Sequence, residues 1–139
     1  ASLTYNNYGR LLVFKVGGTE ELPVPTVRDR TIPVQTNLTA SNDQIAAGER
    51  HYNNYCAVCH GLAVRSGGSI PDLRRMSEGT HTVFNQIVQD GLLAANGMAA
   101  FDDVVSDEDT TMIHHYVRAR AEQDRLAAAG EGGGQLTWQ

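Results

Sequence analysis

Cys56-Ala57-Val58-Cys59-His60 is the stretch on which the reading of this sequence turns. Its cysteines are the only two in a chain of 139 residues. On one helical turn, the two intervening residues bring both sulfurs to the same side, and the histidine follows at once. C-x-x-C-H is the covalent attachment signal of c-type haem. Both thiols add to porphyrin vinyl groups, and the adjacent imidazole lies under the porphyrin face and ligates iron through Nε2. Other readings of the pair fit less well. A thioredoxin-like dithiol wants a βαβ setting, and none surrounds the stretch. A zinc site usually takes four ligands, and there is no second cysteine pair. A disulfide here would close a very small loop. Cys56 and Cys59 are therefore the candidate thioether residues, and His60 is the candidate proximal ligand.

Working upstream, Ser41-Asn42-Asp43-Gln44 has the form of a capping box, with Ser41 as N-cap and Gln44 at N3. Ile45, Gly48, Tyr52 and Tyr55 then recur on one helical face, so this helix delivers the chain to Cys56. Glycine inside a helix costs about 1 kcal/mol relative to alanine. Gly48 on the apolar face therefore predicts a second helix crossing very close. Before Ser41 the character changes. Leu11-Leu12-Val13-Phe14 is a β-prone run ended by Gly17-Gly18, and Pro23, Pro25 and Pro33 exclude a helix. Residues 1–40 are expected to form an extended arm.

Working downstream, 61–69 reads as a loop with Gly67-Gly68 at its flexible point, followed by Pro71-Asp72-Leu73. A helix is expected over about 82–89, with Val83, Phe84, Ile87 and Val88 apolar and Gly91 as its stop. An irregular apolar segment, 92–101, contains Gly97-Met98. The last helix begins at Ser106. Asp107, Glu108 and Asp109 fill its first turn, where the helix dipole favours anions, and Ile113, Tyr116 and Val117 form its buried stripe. It is expected to fade near Arg125, leaving 126–139 as a flexible tail. The fold class is thus all-α, with three to five helices in a domain over 41–125.

A haem iron bound by His60 has room for a sixth ligand. Three methionines compete. Met112 falls within the last helix, and Met76 follows the Pro71 turn. Met98 lies beyond a helix in a glycine-flanked loop, an order that lets the chain wrap both haem faces. A thioether ligand there stabilises reduced iron and raises its potential. A gap-filling core methionine is the competing role. His51, His81, His114 and His115 have no ligand spacing to the haem motif, so surface or packing roles are expected.

Composition limits the partners. Acidic residues number 16 against 11 basic ones, for a net charge of −5, and Lys15 is the only lysine. There is no basic stripe for nucleic acid and no lysine ring for docking. No apolar run approaches the ~20 residues of a transmembrane helix. Asp102, Asp103, Asp107, Glu108 and Asp109 form an acidic cluster that reads first as a solvated helix start and second as a surface steering a cationic partner.

Residues 46–125 resemble a class I cytochrome c domain, through Gly48, Tyr52, the C-x-x-C-H string, Pro71-Asp72-Leu73, Met98 and Tyr116. The resemblance implies that the first and last helices cross near Gly48, Tyr52, Ile113 and Tyr116. It also implies that the Pro71 carbonyl accepts the Nδ1–H of His60. Pro71-Asp72-Leu73-Arg74 and Asn96-Gly97-Met98-Ala99-Ala100-Phe101 are similar, more narrowly, to the C-terminal haem domain of quinohaemoprotein alcohol dehydrogenases. Gly9-Arg10-Leu11-Leu12-Val13-Phe14-Lys15-Val16-Gly17-Gly18 resembles the last strand of their propeller.

That resemblance implies one covalent haem c, ligated by His60 and Met98 and walled by Pro71, Leu73, Phe84 and Phe101, with Arg74 pairing a haem propionate. It implies electron transport without catalysis by this domain. The donor would be a propeller domain holding pyrroloquinoline quinone (PQQ), with that cofactor only in the partner. The acceptor would be a quinone, a copper protein or another cytochrome, in the periplasm. Two alternatives stand beside it: a free-standing diffusible periplasmic carrier, and a haem sensor or enzyme with open or bis-histidine iron.

Overall fold

The computed structural model of the chain describes residues 11–22, 24, 29–66 and 70–130. Among them there are five helices and no strand: α1 Asn42–Tyr55, α2 Ala57–His60, α3 Glu78–Thr82, α4 Phe84–Val88 and α5 Asp107–Ala128. Short 3₁₀ turns at Leu62–Val64, Leu73–Arg75 and Ala94–Asn96 connect them. No described helix is long and apolar enough to cross a membrane.

Both long helices start on capping boxes. The Ser41 hydroxyl accepts the Gln44 N–H at 3.3 Å, and the Gln44 side chain accepts the Ser41 N–H at 2.9 Å. Ser106 and Asp109 repeat this at the start of α5, at 3.1 and 3.4 Å. Each box satisfies donors that a helix N-terminus leaves without a partner. Asp109 thus caps as well as complementing the dipole.

The frame is the crossing of α1 and α5. Gly48 and Tyr52 are the buried residues of α1, as the sequence face predicts. Tyr52 and Tyr116 meet with ring centroids 5.3 Å apart at 54°. The tilted arrangement suits the quadrupoles of two aromatic rings. Val64, Phe84, Val88, Val105, Ile113 and Val117 complete the core with these tyrosines. The Tyr52 hydroxyl donates to the Gly61 carbonyl at 2.8 Å, tying α1 to the turn beyond the C-x-x-C-H string.

Several boundaries differ from the sequence expectation. The helix expected over 82–89 begins earlier, at Glu78, where the Ser77 side chain accepts the Thr80 N–H at 3.2 Å. It then breaks at Val83, whose φ of −103° and ψ of 16° are not helical. The last helix continues past Arg125 to Ala128. The Leu11-Leu12-Val13-Phe14 run is exposed and forms no strand, because no neighbouring strand among the described residues completes a ladder. The expected turn after it is present, with Gly17 at a φ of 77°. Gly9-Arg10, Pro23, Pro25, Gly67-Gly68 and residues 131–139 of the expected tail lie outside the described residues.

Candidate haem-attachment site

Cys56 closes α1, its N–H donating to the Tyr52 carbonyl at 2.8 Å. The chain then makes the single turn of α2, with the His60 N–H on the Cys56 carbonyl at 2.9 Å. Gly61 ends it at a φ of 81°, and a Cβ there would stand 2.1 Å from the Arg65 carbonyl oxygen. Only glycine lets the chain leave His60 so sharply. Both cysteines and the histidine are therefore carried on one tight, tethered turn.

His60 is 8% exposed, and its Nδ1 lies 3.1 Å from the Pro71 carbonyl oxygen. A carbonyl only accepts, so Nδ1 carries the proton and Nε2 keeps its lone pair. That is the tautomer a metal ligand needs, with the ring oriented by its other nitrogen. The bond implied by the class I resemblance is present.

The two thiols are free of a disulfide. Burial, and then the charge of Cys59, push the Cys56 thiol up to about 11. A redox dithiol is activated by the opposite shift, and no strand among the described residues supplies the βαβ setting of a thioredoxin-like pair. Two thiols on one turn beside an imidazole with a free Nε2 are the donor set of covalent haem c, and these residues fit that group.

Met98 is half-buried in the segment after Ala94–Asn96. Gly97 takes a φ of 91°, and the Met98 N–H donates to the Leu93 carbonyl at 3.2 Å. The Phe101 N–H on the Val88 carbonyl, at 2.8 Å, pins the segment to the end of α4. Met76 instead packs against the core, and Met112 presents its backbone to the helix crossing. Leu73 and Phe101 also pack against the core, while Pro71 is exposed. Phe84 is a core residue with one face covered by His114, ring centroids 4.4 Å apart and nearly parallel at 7°.

Arg74 is bonded within the protein. Its Nε and Nη2 donate to Asp72 at 2.9 and 2.6 Å, and its Nη1 donates to Asp124 at 2.7 Å. Three of its five N–H groups are thus given to carboxylates, which lashes the Leu73–Arg75 turn to α5. Asp124 is the hub. It is 7% exposed and also accepts from Arg65 and Arg120. Burial pushes its carboxyl up. The hydrogen bonds from Arg65 and Arg74 and the charge of Arg120 outweigh this and hold it below the usual carboxylate range. The neighbouring Arg75 reaches Asp72 only at 3.9 Å.

A second cluster had no signal in the sequence beyond three residues one turn apart, His114, Val117 and Arg118, on the inner side of α5. His81 Nδ1 and His114 Nε2 stand 2.9 Å apart, and Arg118 Nε donates to the same His114 nitrogen at 3.2 Å. Burial, and then the charge of Arg118, push His81 well below its ordinary 6.5; burial, and then His81 and Arg118, do the same to His114. These histidines are packing residues, as their lack of ligand spacing predicts. The acidic cluster also reads as local structure: Asp107 accepts from Asn85 at 2.9 Å, and Asp109 pairs with His51 at 3.2 Å.

Comparison with known proteins agrees with this geometry. The family described as "Cytochrome C oxidase, cbb3-type, subunit III" matches residues 43–117. The chain is 41% identical over 122 residues to quinohemoprotein alcohol dehydrogenase ADH IIB of Pseudomonas putida, covering 87% of this chain and 18% of that protein. It is 35% identical over 82 residues to cytochrome c550 of Pseudomonas aeruginosa, covering 54% of each. The solved structure of quinohemoprotein alcohol dehydrogenase ADHIIG from Pseudomonas putida HK5 superposes with a TM-score of 0.71 at 36% identity, over 85% of this chain and 17% of that one. The chain thus spans under a fifth of the dehydrogenases it matches. With its helical fold, its C-x-x-C-H turn and an oriented His60, the chain belongs to the cytochrome c family and is an electron-transfer domain of the kind that carries haem c.

Proposed function

We propose that this domain is a one-electron relay, taking electrons from a PQQ-bearing dehydrogenase domain and passing them to an external acceptor. Haem supplies the chemistry by cycling between ferric and ferrous iron. Cys56 and Cys59 hold it through thioethers. His60 would bind the iron through Nε2, and Met98 would supply a thioether as its second protein ligand. Leu73 and Phe101 shelter the pocket, with Phe84 behind them in the core. The observation that carries the reading is the His60–Pro71 bond, which leaves the Nε2 lone pair free on the same turn as two thiols. The 41% identity to a quinohaemoprotein alcohol dehydrogenase supports the choice of donor. PQQ belongs to that partner domain, and a periplasmic location follows from the usual site of thioether attachment. The acceptor is an external quinone, copper protein or cytochrome.

A free-standing carrier is the second reading, favoured by the similarity to cytochrome c550. One experiment separates the two. The haem-loaded chain is mixed with a PQQ dehydrogenase propeller lacking its own cytochrome, and haem reduction is followed after alcohol is added. Reduction that depends on PQQ and alcohol supports the relay. Haem reduced only by small diffusible donors supports the carrier. A chain whose mass stays at the bare polypeptide value after expression with haem-maturation factors removes both.

A further inference from the structure

Residues 33–37 do not behave as a tether. Gln35 is 7% exposed, and its N–H donates to Glu122 of α5 at 3.2 Å. Its side-chain amide turns back onto the Pro33 carbonyl at 2.9 Å. The next carbonyl, that of Thr36, accepts from Arg118 Nη1 at 3.0 Å, and the Thr36 hydroxyl meets Glu78 of α3 at 3.4 Å. Asn37 then adopts a φ of 57°, and its carbonyl accepts the Thr39 N–H at 3.0 Å. A flexible linker leaves such backbone groups to water.

Arg118 fastens this segment. Its side chain is 8% exposed. Nε donates to His114, Nη1 to the Thr36 carbonyl and, at 3.4 Å, to Glu78, and Nη2 to Glu78 at 2.8 Å. One rigid guanidinium fork thereby joins α5, α3 and the arm. The His114 nitrogen that receives it also faces His81 at 2.9 Å, so the cation is seated in a polar socket whose outer wall is the arm. Without the Thr36 carbonyl, Nη1 would keep only the long contact to Glu78. Removing one partner of a buried ion leaves a cation poorly compensated, which is costly. Arm and domain therefore hold each other in place.

We infer that residues 33–37 are a fixed strap, fastened by Arg118 as a positioning residue, which fixes where the arm joins the haem domain and so limits the separation between the haem and the domain that feeds it. The inference rests on the relay reading for its use, but the strap stands or falls separately from it.

The test uses the haem-loaded chain with Val34→Cys carrying a nitroxide, a position 66% exposed and so open to a label. With Arg118 intact, the spectrum should be that of a restricted label, with one narrow label-to-iron distance. Arg118→Leu should remove the restricted component and broaden the distance, leaving helix content and haem midpoint potential unchanged. Arg118→Lys should release the strap in part, since one ammonium cannot span His114, Thr36 and Glu78. If Arg118→Leu does not fold, Glu122→Ala removes the acceptor of the Gln35 N–H, together with an Arg125 pair within α5 that does not touch the arm, and should give intermediate mobility. A label already mobile in the parent, or one equally restricted in every folded variant, overturns the strap. Neither result touches the relay reading, which rests on haem attachment and reduction by the PQQ partner.

Discussion

Gly48 and Met112 meet backbone to backbone: a Cβ on Gly48 would lie 1.9 Å from the Met112 carbonyl oxygen and 3.0 Å from the Tyr116 Cβ. Neither neighbour is the free end of a flexible side chain, so α1 and α5 would have to separate to admit a methyl group. The separation would loosen the Tyr52–Tyr116 contact and disturb the end of α1 that carries Cys56.

Gly48→Ala is therefore expected to destabilise the fold despite the better helix propensity of alanine, because overpacking of about 1–3 kcal/mol or more outweighs a propensity gain of about 1 kcal/mol. Denaturant unfolding of the haem-loaded protein measures this. An unchanged or raised midpoint would show that the crossing is looser than 1.9 Å implies.

Asp124→Ala should be among the most damaging single changes outside the haem turn. It removes the carboxylate shared by Arg65, Arg74 and Arg120; Arg74 keeps Asp72 and Arg65 is partly solvated, so the loss is expected below the about 3–5 kcal/mol of a fully buried broken pair. Arg74→Gln should lower stability for the same reason. It should leave the haem midpoint potential and its pH profile unchanged, since Arg74 is taken by Asp72 and Asp124. A shifted potential profile in Arg74→Gln would show that Arg74 also pairs a haem propionate.

The buried histidines give a pH dependence of defined sign. His81 and His114 are held below their ordinary 6.5 in the fold, so the unfolded chain binds more protons below that value. Their contribution is complete above about pH 6.5 and is lost as pH falls, by up to about 1.4 kcal/mol per pH unit for each group. Unfolding free energies measured between roughly pH 4.5 and 8 should fall on the acid side. His114→Phe, which retains a ring against Phe84, should flatten that slope. A slope unchanged by the substitution would place its origin elsewhere.

Met98→Ala is expected to lower the midpoint potential, abolish the methionine–iron band at the red edge of the visible spectrum and open the iron to carbon monoxide or imidazole. Met76→Leu and Met112→Leu should leave that band in place, since one packs against the core and the other lies at the helix crossing. Loss of the band in Met76→Leu with its retention in Met98→Ala would move the ligand to the turn after Pro71.

Local chemistry made much of this protein legible from its residues alone. The capping boxes at Ser41 and Ser106 were readable because donor and acceptor lie within one turn. The haem turn was readable because C-x-x-C-H is a contiguous string. Gly48 was readable because a glycine on an apolar helix face gives up helix propensity and side-chain burial together, a loss that a close helix crossing offsets. Ser77 as a helix start was missed because Gly79 and Thr80, weak helix formers, follow it. Only the tertiary structure decided which charges meet. Arg74 stands beside Asp72 in sequence, but its second carboxylate, Asp124, arrives from α5. His81 and His114 belong to different helices, and the Thr36 carbonyl reaches Arg118 across the fold. A short-range pattern records the hydrogen bonds of its own turn. It does not record which buried cation a distant carboxylate or carbonyl will satisfy, because that is settled when α1 and α5 pack and water leaves the space between the elements.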